Sequence, residues 1–457
     1  MRLSSAAAWL AIVLHGVPSA VDAAAAAPPP FDLAAHPRID PSKFRVTQFA
    51  SGLAYPTGML KQSDSSLLVA INDPTGGRYY ASTGKLLRLT DANHDGVADD
   101  AGTYLNTNLP GAIVQMRRAG DLLVVNSAIP TGASISFLRP GAGPASPFTL
   151  VGTLNLPFAA DHMHDTYALA VRPTATPDAH EIYFNIGSRL NAQNTTTTVN
   201  VSGMNISGSW VLQTESLYRL TLIDTGDGAA VSSPRQIARG LRNAAGIAFH
   251  PTTGDLYFQD NGIDGGSESA DPVSADEINV IPAGQVGGPS LPNFGFAGDY
   301  VQYRTGTRVG SGGVQPVVTF QPFGPTQTEA EGAAEIAFAP PNFPDELNDG
   351  IFVGFHGRFS TAGVANEENP LLYLDLATNE YFEFIPNSVP TIGHLDNVLA
   401  TDDSLFVSDM TAAGNIFTTT AAGAIYQITA IPEPASLAVA GLVVAAALRR
   451  PRRRSRN

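Results

Sequence analysis

Two histidines close the run Asp161-His162-Met163-His164-Asp165. A neutral imidazole takes a proton from a hydroxyl near pH 7, and a neighbouring carboxylate orients it. The His-x-His spacing also suits a metal pair, and a solvated polar loop needs no chemistry at all. Arg242-Asn243 is the second candidate, because a guanidinium recognises an anionic cofactor or substrate through paired hydrogen bonds. The third is the loop Asp260-Asn261-Gly262-Ile263-Asp264-Gly265-Gly266 followed by Asp276-Glu277-Ile278-Asn279. Carboxylates together with carbonyls of a Gly-rich loop suit calcium. The fourth is Asp91-Ala92-Asn93-His94-Asp95-Gly96, with Asp99 further on. Asp91, Asn93 and Asp95 occupy the first, third and fifth places of a calcium loop, Gly96 the sixth and Asp99 the ninth. The twelfth place is Gly102, so the bidentate Glu of an EF-hand is missing and the alternative is a solvated acidic turn.

These residues need elements to position them. Every instance of one pattern is a short apolar segment, a polar turn and a second apolar segment ending in Asn, Asp, Ser or Gly. The six instances are Tyr55–Leu60 with Leu67–Ile71, Ile113–Met116 with Leu122–Val125, Tyr167–Val171 with Ile182–Ile186, Ala245–Phe249 with Leu256–Phe258, Ala334–Phe338 with Ile351–Phe355, and Leu395–Leu399 with Leu405–Val407. Alternation rich in β-branched and aromatic residues marks strand pairs. Their recurrence predicts an all-β, six-bladed β-propeller of four-stranded antiparallel blades over 44–429; a β-sandwich array is the alternative. Lys85–Leu89, Leu217–Leu222, Leu371–Leu376 and Ala424–Ile428 read as outer strands, and Phe44–Phe49 with Ala424–Ile428 as the pair that closes the ring. On a propeller, functional side chains sit on loops at one mouth of the channel, just before the innermost strands; His164 and Arg242-Asn243 fall there.

Composition narrows the function classes. The 457 residues include no cysteine, which removes disulfides, thiol catalysis and thiolate metal sites. A net charge of −15 argues against a nucleic-acid partner. With 44% hydrophobic and 15% charged residues the chain can bury a core, and its 44 Gly and 34 Pro favour many turns.

Both ends read as addresses. Residues 1–27 carry Arg2, the apolar run Ala6–Leu14 and a small-residue zone ending at Ala27, the order of a secretory signal peptide. Residues 431–457 carry Pro432-Glu433-Pro434, the apolar run Leu437–Leu448 and six arginines. This segment resembles the PEP-CTERM sorting signal of Gram-negative bacteria, a Pro-Glu-Pro motif, a short hydrophobic helix and a basic end. The resemblance implies transient inner-membrane anchoring through the C-terminal helix, an exosortase as partner, and delivery to the periplasm, cell surface or extracellular matrix; a plain membrane anchor is the alternative.

The stretches His164 to Asn191 and Gly240 to Asn279 resemble glucose/sorbosone dehydrogenases, six-bladed propellers that use pyrroloquinoline quinone with calcium. Arg242-Asn243 stands before the strand Gly246-Ile247-Ala248-Phe249, as the family's Arg-Asn pair does, and Asp276-Glu277-Ile278-Asn279 matches its Asp-Glu-Ile-Asn. Phe355-His356-Gly357 resembles a loop of its fifth blade. The resemblance implies His164 as catalytic base, Arg242, Asn243, Asn261 and Gly262 as cofactor contacts, and Gly262, Ile263, Asp276 and Glu277 as calcium ligands. It implies a sugar or aldose substrate. The chain departs from the family in having no lysine after Lys85, Ile263 where a Pro is common, and an acidic Glu329-Ala330-Glu331 at blade five. The missing lysine, the acidic blade-five segment and the sorting tail favour the alternative of a surface-displayed propeller without catalysis that binds polysaccharide or a matrix protein. A calcium-dependent lactonase-like hydrolase is the third reading.

Overall fold

The computed structural model describes residues 28–432 except 76–77, 196, 268–269, 324–331, 362–369, 413–414 and 417–421. The proposed signal peptide, the sorting segment from 433 onward and the acidic Glu329-Ala330-Glu331 lie outside the described residues. No described helix is long and apolar enough to cross a membrane.

The strands form six antiparallel blades, and all six sequence repeats fall on the two inner strands of a blade. Blade one is Met59–Lys61, Leu67–Thr75, Arg78–Leu89 and Thr103–Leu109. Blade two is Ala112–Ala119, Leu122–Ile129, Gly132–Arg139 and Thr149–Pro157. Blade three is Leu169–Pro173, Ala179–Ile186 and Ser216–Asp224, with Ala229–Val231 and Arg235–Arg239 sharing its outer edge. Blade four is Ile247–Phe249, Leu256–Asp260, Glu277–Ile281 and Val318–Thr319. Blade five is Ala333–Phe338, Ile351–Phe355, Leu371–Leu374 and Tyr381–Ile385. Blade six is Leu395–Ala400, Ser404–Asp409, Gly423–Ala430 and, outermost, Phe44–Leu53. The segments read as outer strands are therefore third strands, because each blade adds one more beyond them. Neighbouring innermost strands touch around a closed ring, blade six meeting blade one.

The repeat ending has a structural cause. In blades three, four and six the last polar residue of the second strand accepts the backbone N–H groups that open the first strand of the same blade. Asn185 Oδ1 accepts from Tyr167 and Ala168 at 2.7 and 2.8 Å. Asp260 accepts from Arg242 and Asn243 at 3.0 and 2.6 Å. Asp409 accepts from Gly393 and His394 at 2.9 and 2.8 Å. These N–H groups would otherwise be buried without partners, at a cost of about 1–3 kcal/mol each.

Apolar side chains then fill the seams between blades. One cluster joins blades two and three around Val124, Phe137 and Phe184, another blades four and five around Ile278, Phe320 and Val353. Closure rests on Phe44–Leu53 pairing antiparallel with Gly423–Ala430, as the sequence predicts. Phe49 in that strand is buried and meets Phe406 edge-on at 5.4 Å, within the cluster between blades six and one. Phe49→Ala is expected to cost about 3–5 kcal/mol, read as a lower urea midpoint; a loss below 1 kcal/mol would mean that the closing strand contributes little.

Two features were not foreseen. The hairpin Thr198–Gly203 and Trp210–Gln213 leaves blade three and extends the outer edge of blade two. The segment before Phe44 packs on blades five and six, with Phe31 edge-on to Tyr426, His36 stacked on Phe382 and Arg38 paired to Asp375.

Candidate functional site

A cavity of about 470 Å³ opens among the inner strands and their entry loops. Its lining includes Gln115 from blade two, His164, Arg242, Asn243, Asn261 and Asp276 from blades three and four, and Glu335, His356, Arg358 and Asp396 from blades five and six. The volume lies within the range of sites that enclose small-molecule ligands, about 300–1,000 Å³.

His164 is 7% exposed, and its Nδ1 lies 2.9 Å from Ser188 Oγ. Ser188 spends its only hydroxyl proton on the Leu190 carbonyl at 2.9 Å. Nδ1 must therefore carry the hydrogen and donate to Ser188, which leaves Nε2 as the acceptor. Burial, and then the Arg242 charge beside it, holds the imidazole well below its usual pKa of 6.5. A neutral imidazole with a free Nε2 lone pair results. Ser188→Ala removes the group that fixes the tautomer and is expected to populate the Nε2–H form, read from the imidazole nitrogen shifts by NMR; an unchanged tautomer would show that Ser188 does not orient the ring.

His162 turns elsewhere. Its ring stacks on Phe158 at 4.3 Å, and its Nε2 donates to the His164 carbonyl at 2.8 Å. The structure thus does not present the two imidazoles as a metal pair.

Arg242 is 2% exposed. Asn191 Oδ1 accepts from its Nη2 at 2.7 Å and its Nε at 3.2 Å, and Asp264 pairs with Nη2 at 2.5 Å. Asp260 holds the Arg242-Asn243 turn through two backbone N–H groups; burial pushes its carboxyl up to about 7 against the pull of those bonds. Asn243 Nδ2 donates to Asn261 Oδ1 at 2.9 Å. Asn243 Oδ1 is buried and has no partner among the described residues.

Asp276 accepts from Gly262 N at 2.7 Å, Ala333 N at 2.8 Å and Asn261 Nδ2 at 3.2 Å, so it ties blade four to blade five. Gly262, Ile263 and Glu277 face a second, smaller cavity of about 30 Å³ that shares Arg242 and Asn261 with the first. Burial pushes Glu277 up to about 8, with Asp260 adding to the rise. The Ile263 carbonyl already accepts from Val273 N at 2.8 Å. Gly262 has no room for a side chain, since a Cβ there would stand 2.1 Å from the Ser274 carbonyl.

The loop carrying Asp91, Asn93, Asp95 and Asp99 joins the third and fourth strands of blade one, away from the lining of either cavity. Its side-chain oxygens accept backbone N–H groups: Asp91 from Asp95 and Gly96, Asn93 from Asp95, Asp95 from Val97, and Asp99 from Ala92. Gly96 has φ +85°, and a Cβ there would stand 2.8 Å from Thr47 Oγ1, whose hydroxyl donates to the Gly96 carbonyl at 2.7 Å. Among the described residues no group of three or more His, Asp or Glu side chains is clustered to hold a metal by side chains alone.

Sequence reasoning missed the lining residues of the other blades. Gln115, Glu335 and Asp396 are polar residues inside innermost strands. A polar residue in an otherwise apolar innermost segment, once the strand is placed, was the available signal. Glu335 is 2% exposed and is matched by Arg117 at 2.5 Å and by Gln115 Nε2. Arg358 supplies a late-blade cation that a search confined to lysine overlooks.

No known family model matches the chain. An uncharacterized protein of Borreliella burgdorferi is 30% identical over 148 residues, which is 31% of this chain and 35% of that protein, so the match spans about a third of the relative's length. Among solved structures, the PQQ-bound aldose sugar dehydrogenase of Streptomyces coelicolor is 16% identical, with a TM-score of 0.51, covering 86% of this chain and 99% of that one. A calcium structure of a Trichoderma reesei carbohydrate-active enzyme of family AA12 is 14% identical, with a TM-score of 0.54, covering 88% and 97%. A putative oxidoreductase (glucose dehydrogenase) of Thermus thermophilus is 15% identical, with a TM-score of 0.51, covering 84% and 99%. These likenesses establish a shared fold, the six-bladed propeller on which those proteins are built.

Proposed function

We propose that this chain oxidises a hydroxyl of a sugar, using a quinone and calcium that residues of blades three and four would hold. The observation that carries this reading is the convergence of His164, Arg242, Asn243 and Asn261 on one cavity of ligand size. The Arg242 guanidinium and the Asn243 amide N–H offer donors for the carbonyl edge of such a quinone, and the buried Asn243 Oδ1, which lacks a protein partner, offers an acceptor for an N–H or O–H of the ligand. A bound quinone would supply the hydride acceptor. Arg242 and Asn243 would hold it, and the Gly262 carbonyl with Asp276 and Glu277 would hold calcium. His164 Nε2 takes the proton of the substrate hydroxyl and keeps it on an imidazole whose Nδ1–H stays bonded to Ser188. The Arg242 guanidinium, itself 2% exposed, opposes the negative charge that builds on oxygen next to it. Asn191 and Asp264 keep that guanidinium in place.

A second reading has its own observation. Four carboxylates (Asp264, Asp276, Glu335, Asp396) line the cavity against two guanidiniums (Arg242, Arg358). That balance opposes a tricarboxylate and suits a displayed sugar-binding propeller without redox chemistry. Loading the protein with pyrroloquinoline quinone and calcium, then following reduction of an artificial electron acceptor with a panel of sugars, separates the two. The first reading expects sugar-dependent reduction; none with any sugar favours the second.

Export, recognition by an exosortase and delivery to the cell surface or extracellular matrix complete the proposal. They rest on residues 1–27 and 431–457. Mass spectrometry of the protein recovered from a Gram-negative host that carries an exosortase is expected to show both ends removed; intact ends would contradict this.

A further inference from the structure

The wall of blades five and six is distinguished by Asp396. Three of the four carboxylates lining the cavity are answered by the protein. Asp264 is paired with Arg242, Asp276 accepts three N–H donors, and Glu335 is held by Arg117 and Gln115. Asp396 lines the same cavity and has no hydrogen bond or ion pair among the described residues. Burial pushes its carboxyl up to about 7, and the Glu335 charge nearby adds to the rise. Of the other titratable groups on this side, His356 is driven down to about 4 by burial and is therefore uncharged, and Arg358 lines the cavity beyond it.

Asp396 is half-buried at the wall of the cavity, and the ligand group that best matches a carboxylate with no protein partner there is a cation able to donate hydrogen bonds. A neutral hydroxyl donates one weaker bond, and a second carboxylate repels. The cavity's excess of carboxylates over guanidiniums acts in the same direction. We infer that the cavity takes an amino sugar, with the ligand's ammonium on Asp396 and its hydroxyls toward His164. This inference rests on the reading that the cavity binds a sugar, and is independent of whether a quinone binds there.

The test is calorimetric titration of the purified protein at neutral pH, with no quinone added, using glucosamine, glucose, N-acetylglucosamine and glucuronate. Glucosamine is expected to bind about 10- to 100-fold more tightly than glucose, with N-acetylglucosamine no tighter than glucose and glucuronate weakest. Asp396→Asn is expected to abolish the preference for glucosamine. That variant loses no protein contact, and a thermal midpoint equal to or above that of the natural protein confirms its fold; should it not fold, the comparison of the four sugars on the natural protein still decides. Equal binding of glucosamine and glucose, or a preference that survives Asp396→Asn, overturns the inference alone. Absence of binding for all four overturns the sugar reading and the inference with it.

Discussion

His164→Gln is expected to lower turnover by about a thousandfold or more and to leave the thermal midpoint unchanged. General-base groups contribute about 10²–10⁴ in rate. Glutamine fills similar space but offers no group that keeps a proton. The structural cost is small because the only side-chain bond lost is the one to Ser188 Oγ. The pH profile carries the finer test. Because burial and Arg242 hold the imidazole well below 6.5, the base form persists into acidic solution. The activity of the natural protein is therefore expected to stay level as pH falls through 6.5 and to drop only as the lowered folded-state pKa is approached. Stability follows the same group with a stated sign. An unfolded chain binds a proton at this histidine near 6.5 and the folded one does not, so folding stability from this site is present above 6.5 and falls as pH drops through it. A rate that falls with a midpoint at 6.5 would contradict a buried, neutral base.

Asp260→Asn carries the second large effect. Both carboxylate oxygens are used, one on the Arg242 N–H and one on the Asn243 N–H. An amide keeps one oxygen and turns an NH₂ toward the other donor, so one buried N–H loses its partner and meets a like dipole. A loss of about 2–4 kcal/mol is expected. The turn that presents Arg242 and Asn243 loosens with it, so ligand affinity of the cavity is expected to fall at least tenfold. Asp409→Asn, which cuts the equivalent bonds to Gly393 and His394 in blade six, is expected to cost similar stability. If Asp260→Asn unfolds at the same urea concentration as the natural protein, the paired N–H contacts are not what orders the entry loops.

The same staple explains what was legible in the sequence. The inner strand pairs announced themselves six times because burial on both faces demands apolar runs; in blades three, four and six the second strand also ends in a residue that satisfies the N–H groups of its own blade's entry turn. His164 and Arg242-Asn243 were legible because they stand at those turns, where a polar residue has little packing reason to be. The rest depended on tertiary placement. The hairpin Thr198–Gly203 and Trp210–Gln213 lies in a polar, Asn- and Thr-rich stretch whose partner strand, Thr149–Pro157, belongs to another blade. No local period marks it. Residues 28–43 pack through single side chains such as Phe31 and Ile39, without a repeat. Glu335 and Asp396 were hidden inside segments read as apolar, Ala334–Phe338 and Leu395–Leu399. Only the ring shows that this side of an innermost strand faces a channel, where a carboxylate is a ligand group instead of a core defect.

The central claim is that His164, Arg242 and Asn243 frame a quinone site. Titration of the protein with pyrroloquinoline quinone in excess calcium, followed by calorimetry, tests it most directly. Saturable, one-to-one binding is expected that requires calcium and is lost in Arg242→Ala while that variant still folds. No binding in excess calcium, or binding that Arg242→Ala leaves intact, would contradict it.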